Sequence, residues 1–217
     1  KFIMKKFLLI AAIAVCGMFS ANAQEVSFGA KAGVNFASLG GDAEDADSRT
    51  GLHIGAIAEL MLTESFSIQP ELLYSMQGAK SEYSDSYTEM GVTVTESGEA
   101  ELKLDYIVLP ILAKYYITEG FSVQAGPQVG FLMSAKAEGD YTATAMGTSV
   151  SESFSEDVKD ELSTVDFGVS AGLGYDLDMG VFFQARYYLG LSNIYDVESD
   201  NFSVQNNVLQ VSVGYKF

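Results

Sequence analysis

Val26-Ser27-Phe28-Gly29-Ala30-Lys31-Ala32-Gly33-Val34-Asn35-Phe36 is the stretch on which the fold turns. Its even positions are Val, Phe, Ala, Ala, Val and Phe, and its odd positions are Ser, Gly, Lys, Gly and Asn. Side chains alternate sides along an extended chain, so these residues predict a β-strand with one apolar and one polar face. A helix would mix the two sets around its circumference.

The same period recurs down the chain. Residues 52–62 place Leu52, Ile54, Ala56, Ala58, Leu60 and Leu62 opposite His53, Gly55, Ile57, Glu59 and Met61. Residues 66–77 place Phe66, Ile68, Pro70, Leu72, Tyr74 and Met76 opposite Ser67, Gln69, Glu71, Leu73, Ser75 and Gln77. Similar segments follow at about 101–117, 121–136, 164–177, 181–194 and 207–217. The total is even, as a closed single-chain bacterial membrane barrel requires. The expected fold is therefore all-β: an eight-stranded antiparallel up-and-down transmembrane β-barrel.

Two features separate such a barrel from a soluble barrel or sandwich. The apolar face is bulky and aromatic (Phe28, Phe36, Tyr74, Phe121, Phe131, Phe167, Tyr175, Phe183, Tyr187, Tyr215, Phe217), which suits lipid. The polar face is rich in Gly, Ser and Gln, with isolated charges at Lys31, Glu59, Glu71, Lys103, Asp105, Lys136, Asp166, Arg186 and Lys216. An eight-stranded barrel has an interior that side chains fill, and a lone charge there would be costly. Lys31, Glu59, Glu71, Arg186 and Lys216 are therefore expected to pair as a plug of salt bridges in the lumen.

The links between strands sort by length. Tight turns are predicted at 63–65, 118–120 and 178–180, and long loops at about 38–51, 78–100, 137–163 and 193–206. Long loops at one end and short turns at the other match an outer-membrane barrel with its long loops outside the cell. The four loops carry net charges of −3, −4, −6 and −3. The acidity of the chain, with 12 Lys+Arg against 29 Asp+Glu in 217 residues, is thus mostly a property of the loops. It also excludes nucleic acid as a partner, because phosphate binding needs basic side chains.

An export signal precedes all this. Lys5 and Lys6 lead into an apolar stretch at 7–19, followed by Ser20-Ala21-Asn22-Ala23, with cleavage expected after Ala23. Residues 1–23 are read as a signal peptide, with 1–3 an upstream extension before Met4, and 24–217 as the barrel domain. The apolar stretch is too short for a membrane helix, and Ile13-Ala14-Val15 before Cys16 is a poor lipoprotein signal.

Several stretches also resemble a known family. Residues 28–36, Tyr106-Ile107-Val108-Leu109-Pro110-Ile111-Leu112-Ala113-Lys114-Tyr115-Tyr116, and the segments at 171–175 and 185–193 are similar, in that order, to the PorT-like outer-membrane β-barrel family of Bacteroidetes. The resemblance implies an outer-membrane location and, in one branch, service in protein secretion. It implies no catalytic residues. The last strand alternates and ends in Phe217, like the signal read by the barrel-assembly machinery.

Candidate chemistry is sparse. His53 is expected to face the lumen, where a lipid hydrolase would have no use for it, and no nucleophile elbow, phosphate loop or Cys/His cluster occurs. Neither enzymatic activity nor a cofactor is expected. Asp42, Glu44, Asp45 and Asp47 offer hard oxygen ligands for Ca²⁺, but without the glycine and distal Glu of an EF-hand; a solvated acidic loop is the default. Two roles follow: a structural or surface-interaction barrel whose partners are outer-membrane lipid and a surface or secretion protein, or a transport or secretion accessory. Pro110 interrupts the fourth strand, and Leu102, Leu104, Tyr106 and Val108 are read as outward-facing. That phase would send Lys114 to lipid, so a β-bulge near Pro110 is expected to turn it inward; the competing reading is that Lys114, close to the periplasmic turn, snorkels to the headgroups.

Overall fold

Alternation of large apolar and small polar residues produces nine strands in the computed structural model, which describes residues 25–43, 46–89, 91–195 and 203–217. They are β1 (Val26–Gly41), β2 (Asp47–Thr63), β3 (Phe66–Glu89), β4 (Val92–Tyr116), β5 (Phe121–Ala145), β6 (Thr148–Asp157), β7 (Val165–Asp176), β8 (Val181–Gly190) and β9 (Val204–Lys216). Eight of them close into an antiparallel ring in the order β1-β2-β3-β4-β5-β7-β8-β9, with β9 returning to β1 from Gly29↔Lys216 to Gly41↔Val204. Closure leaves no unpaired ladder edge in the ring, the condition for backbone to lie in lipid.

The faces follow the sequence on most strands. Phe28, Leu52, Ile54, Leu72, Tyr74, Phe167, Phe183, Tyr187 and Tyr215 are exposed on the outside, while Lys31, Asn35, His53, Glu59, Glu71, Gln184 and Arg186 are buried inside. Outward aromatics form two belts. Tyr115, Tyr175, Phe183 and Tyr215 lie near the tight turns, and Phe36, Phe167 and Tyr187 lie toward the other end.

Strand β4 departs from expectation. Leu104, Tyr106, Val108, Leu112 and Lys114 are all buried, in one unbroken inward phase. The register with β3 keeps one offset from Phe66↔Tyr115 to Glu89↔Val92, although the pairing lapses at Leu109 and Pro110 between Pro70↔Ile111 and Leu73↔Val108. The bulge predicted at Pro110 is absent. The irregularity is instead in β5, where Asp105 faces Ser134 but Tyr106 faces Leu132, leaving Met133 as the extra residue. Pro110 has no N–H to give, and it falls where the pairing with β3 lapses, so the strand needs no bulge to hold it. Lys103, Asp105 and Lys136 consequently stand on the outward side, not in the lumen.

The long links are also more ordered than predicted. Most of 38–51 is strand, with only 42–46 connecting β1 to β2. The predicted loop at 78–100 is a hairpin in which β3 and β4 run on as far as Glu89↔Val92. Beyond the bulge, β5 continues beside β4 to Val94↔Ala145 and turns back as β6. Met146 (φ 49°) and Gly147 (φ 77°) are both left-handed there, the two-residue turn that suits right-twisted strands. The result is a four-stranded sheet that projects beyond the ring for about nine residues, roughly 30 Å of strand. The signal segment at 1–23 lies outside the described residues.

Candidate functional site

The barrel interior is filled in three tiers. Nearest the tight turns, Glu59 on β2, Lys114 and Tyr116 on β4, Asp176 on β7 and Lys216 on β9 converge. Lys114 Nζ stands 2.9 Å from Asp176 Oδ2 and 3.5 Å from Glu59 Oε1. Lys216 Nζ pairs with Asp176 at 2.8 Å and also contacts Glu59. The Tyr116 hydroxyl lies 2.6 Å from Glu59 Oε1 and 2.7 Å from Asp176 Oδ2 and shares its one proton between them, and Ser67 donates to Glu59 at 2.6 Å. Two cations thus face two carboxylates.

A second cluster sits above it. Glu71 Oε2 accepts from Lys31 Nζ at 2.8 Å and from Arg186 Nη1 at 2.9 Å. The side chains of Lys31, Glu71 and Arg186 are only 1%, 0% and 2% exposed, so water scarcely reaches them. Amides satisfy what the single carboxylate cannot. Lys31 donates to Gln184 at 3.0 Å, Arg186 donates twice to Gln210, and Gln69 donates to Glu71 at 2.7 Å. The five lumen charges read from the sequence therefore divide between two clusters, Lys31/Glu71/Arg186 and Glu59/Lys216. Lys114, whose inward turn had been tied to a bulge, and Asp176 complete the second cluster. Asp176 was overlooked, although it continues the inward even positions Ser170, Gly172 and Gly174.

His53 is a structural part of this interior. Its Nδ1 lies 2.7 Å from Asn35 Oδ1 and its Nε2 2.7 Å from Ser212 Oγ, which ties β1, β2 and β9 together. Higher still, Asp166 accepts from Tyr188 at 3.0 Å and Ser192 at 2.6 Å. The tier at the long-loop end is apolar. Leu73, Leu104, Tyr106, Val108 and Leu132 from the strands pack with Leu162 and Ile194 from the connections. An apolar cluster thus lies above the ion pairs.

The rim charges on β4 and β5 point outward, while Arg49 on β2 is buried opposite Ala37. Lys103 Nζ bridges Glu138 at 2.7 Å and Glu101 at 3.1 Å, while Arg49 Nε meets Glu101 at 2.6 Å. The hydrogen bond from Lys103 holds the Glu138 carboxyl below its ordinary range and, reciprocally, holds the Lys103 ammonium above its own. Of the acidic stretch considered for Ca²⁺, Asp42 accepts from the Ser203 backbone N–H at 2.7 Å and Asp47 lies beside Lys80 in the β2–β3 ladder. Glu44 and Asp45 lie outside the described residues. Among the described residues no group of three or more His, Cys, Asp or Glu is placed to hold a metal ion. Phe217 donates its backbone N–H to Phe28 O at 2.9 Å at the tight-turn end, with its ring exposed.

Comparison with known proteins agrees with this geometry. Residues 22–196 match the family model described as outer membrane protein beta-barrel domain, and the chain belongs to that family. It is an outer-membrane, transmembrane β-barrel protein. Among solved structures it is similar to Neisserial surface protein A, with 14% identity, 89% of this chain and 99% of that one covered, and a TM-score of 0.48. It is also similar to Ail, the attachment invasion locus protein of Yersinia pestis, with 13% identity, 89% and 99% coverage and a TM-score of 0.45. A third likeness is to CarO of Acinetobacter baumannii, at 12% identity, 87% and 97% coverage and a TM-score of 0.39. No curated protein matches.

Proposed function

We propose that this member of the outer-membrane β-barrel family is a surface-interaction protein: a plugged barrel that anchors acidic extracellular hairpins. The observation that carries the reading is the contrast between its two ends of chemistry. Inside, Lys31, Glu71 and Arg186 are sealed from water and spend their charges on one another. Beyond the ring, the projecting strands offer backbone and side chains to solvent. Binding residues concentrate where a rigid scaffold presents exposed segments. On this reading the short turns face the periplasm, export follows cleavage after Ala23, and Phe217 is what the assembly machinery reads.

The second reading is a transport or secretion accessory. The resemblance of 28–36 and 106–116 to the PorT-like family favours it. Affinity capture from native outer membranes separates the two. Intact protein is compared with a version whose residues 81–100 and 138–157 are replaced by tight turns, and with a lumen variant, Glu71→Gln. The surface reading expects trimming to abolish capture and Glu71→Gln to leave it intact. Capture that survives trimming but is lost with Glu71→Gln would place the working site in the lumen.

A further inference from the structure

The projecting sheet is two-faced, and the distribution of its side chains has a chemical direction. Register places Tyr83, Gly98, Tyr141 and Glu152 in one row across β3, β4, β5 and β6. Asp85, Glu96, Ala143 and Val150 form the next, and Ala100, Gly139 and Phe154 lie on the other side of the tyrosine row. The opposite face shows Glu82-Glu99-Asp140-Ser153 and then Ser84-Ser97-Thr142-Ser151. One face is aromatic and the other is hydroxyl and carboxylate.

Parity tells which way each face looks. Ala79, Leu102 and Ala135 belong to the packed interior cluster, and stepping two residues at a time from them reaches Tyr83, Gly98 and Tyr141. The aromatic face is therefore the continuation of the lumen side, turned toward the axis above the barrel mouth. The bulge at Met133 produces this arrangement. If β5 instead carried the register of Tyr106↔Leu132 straight on with Met133 paired, it would present Asp140 and Thr142 here in place of Tyr141 and Ala143.

The rings lie flat. A Cβ on Gly98 would meet Tyr83 Cε1 at 2.6 Å, and one on Gly139 would meet Phe154 Cε1 at 2.7 Å, so each ring covers a glycine on the neighbouring strand. One π-face rests on the backbone and the other looks out, with Tyr83 52% and Phe154 51% exposed. Carboxylates alternate with the rings. Asp85 stands between Tyr83 and Tyr87 on β3, and Glu152 is opposite Tyr141 and two residues from Phe154. Glu96 is reached by the hydroxyls of both Tyr87 and Tyr141.

We infer that this inner aromatic face binds an extended, arginine-rich polypeptide segment. Charge complementarity selects the occupant. Residues 81–100 and 138–157 contain ten acidic residues and no Lys or Arg. A second copy of the chain would bring the same negative charge against it. A neutral sugar could stack on the rings and donate hydroxyls to the carboxylates but would leave their negative charge unbalanced, and an anionic polymer would be repelled. Guanidinium groups stack on exposed π-faces and bond carboxylates with two parallel N–H donors, which is what an alternation of flat rings and acids accommodates. Cross-strand neighbours about 5 Å apart, with about 7 Å between like-facing residues along a strand, match an extended peptide rather than a single small cation. This assignment rests on the surface-interaction reading and names its partner class.

The test uses the full barrel refolded in detergent and a fluorescent twelve-residue peptide alternating Arg and Ser, read by anisotropy. Two charge variants remove equal charge from opposite faces: Asp85→Ser/Glu96→Ser/Glu152→Ser inside and Glu82→Ser/Glu99→Ser/Asp140→Ser outside. A third, Tyr83→Ser/Tyr141→Ser/Phe154→Ser, removes rings without changing charge. Retained heat-modifiable migration on gels certifies that each barrel is folded. The expected result is binding weakened about tenfold or more by the inner-charge and ring variants and by less than about twofold by the outer-charge variant. No binding by the native barrel, or equal weakening by the inner-charge and outer-charge variants, overturns the inference; so does a dimer in which the face is closed by a second copy. Failure here with trimming-sensitive capture intact would leave the surface reading standing with a different partner, whereas capture that survives trimming would remove that reading itself.

Discussion

Glu71 is the residue on which the middle of the barrel depends. It is one carboxylate serving two cations, Lys31 and Arg186, in a setting without water. Removing one partner from a buried pair leaves an uncompensated charge, which costs about 3–5 kcal/mol. Glu71→Ala is therefore expected to shift urea unfolding, followed by loss of the heat-modifiable band, by about that amount. Removing Lys31 as well, in Lys31→Met/Glu71→Met, is expected to destabilise less than two independent losses would, because no lysine is left buried beside a missing partner. Additive losses would mean that the pair is not coupled. Glu71, Lys31 and Arg186 were legible in the sequence because each sits at an inward position of a strand with clean alternation. Lys114 was not, for the reason found one level up.

Strand β4 misled because both of its faces are apolar over 106–112, and alternation cannot orient a strand without a polar face. Its inward Leu104, Tyr106 and Val108 are explained by Leu162 and Ile194, which arrive from distant connections and cannot be seen from one strand. The projecting hairpins were missed for a related reason. Their Ser, Thr and acidic residues read as loop, yet Thr, Val and Tyr at alternate positions are good strand formers, and pairing across four strands outweighs the polarity. Ring pairing lies below them. Replacing 81–100 and 138–157 by tight turns is accordingly expected to leave a barrel that still migrates differently when unheated and boiled. Identical migration would show that the hairpins are needed for closure. At the bulge, deleting Met133 removes only the unpaired residue and leaves Ser134 opposite Asp105 and Leu132 opposite Tyr106, so hydrogen exchange over 136–145 is expected to keep its protection; loss of that protection would show that the bulge itself holds the pairing with β4 and β6.

At the scale of the molecule, architecture was readable from strand period, even count and one-sided link lengths, because each is imposed by lipid and closure and not by any particular contact. The proposed work of the protein has only a location in the sequence. Acidity concentrated in the links pointed to the long-loop end, while the aromatic inner face depends on a register set by a single extra residue in β5. The central claim is that the lumen is closed and the exposed end does the work. The most direct measurement is conductance of the intact protein in a planar lipid bilayer. The account predicts a current indistinguishable from bare lipid, with steady openings gained only when all the tiers are cleared together by small residues, at Lys114 and Lys216, at Lys31 and Arg186, and at Leu104 and Tyr106. Stable ohmic conductance by the unmodified barrel would contradict it.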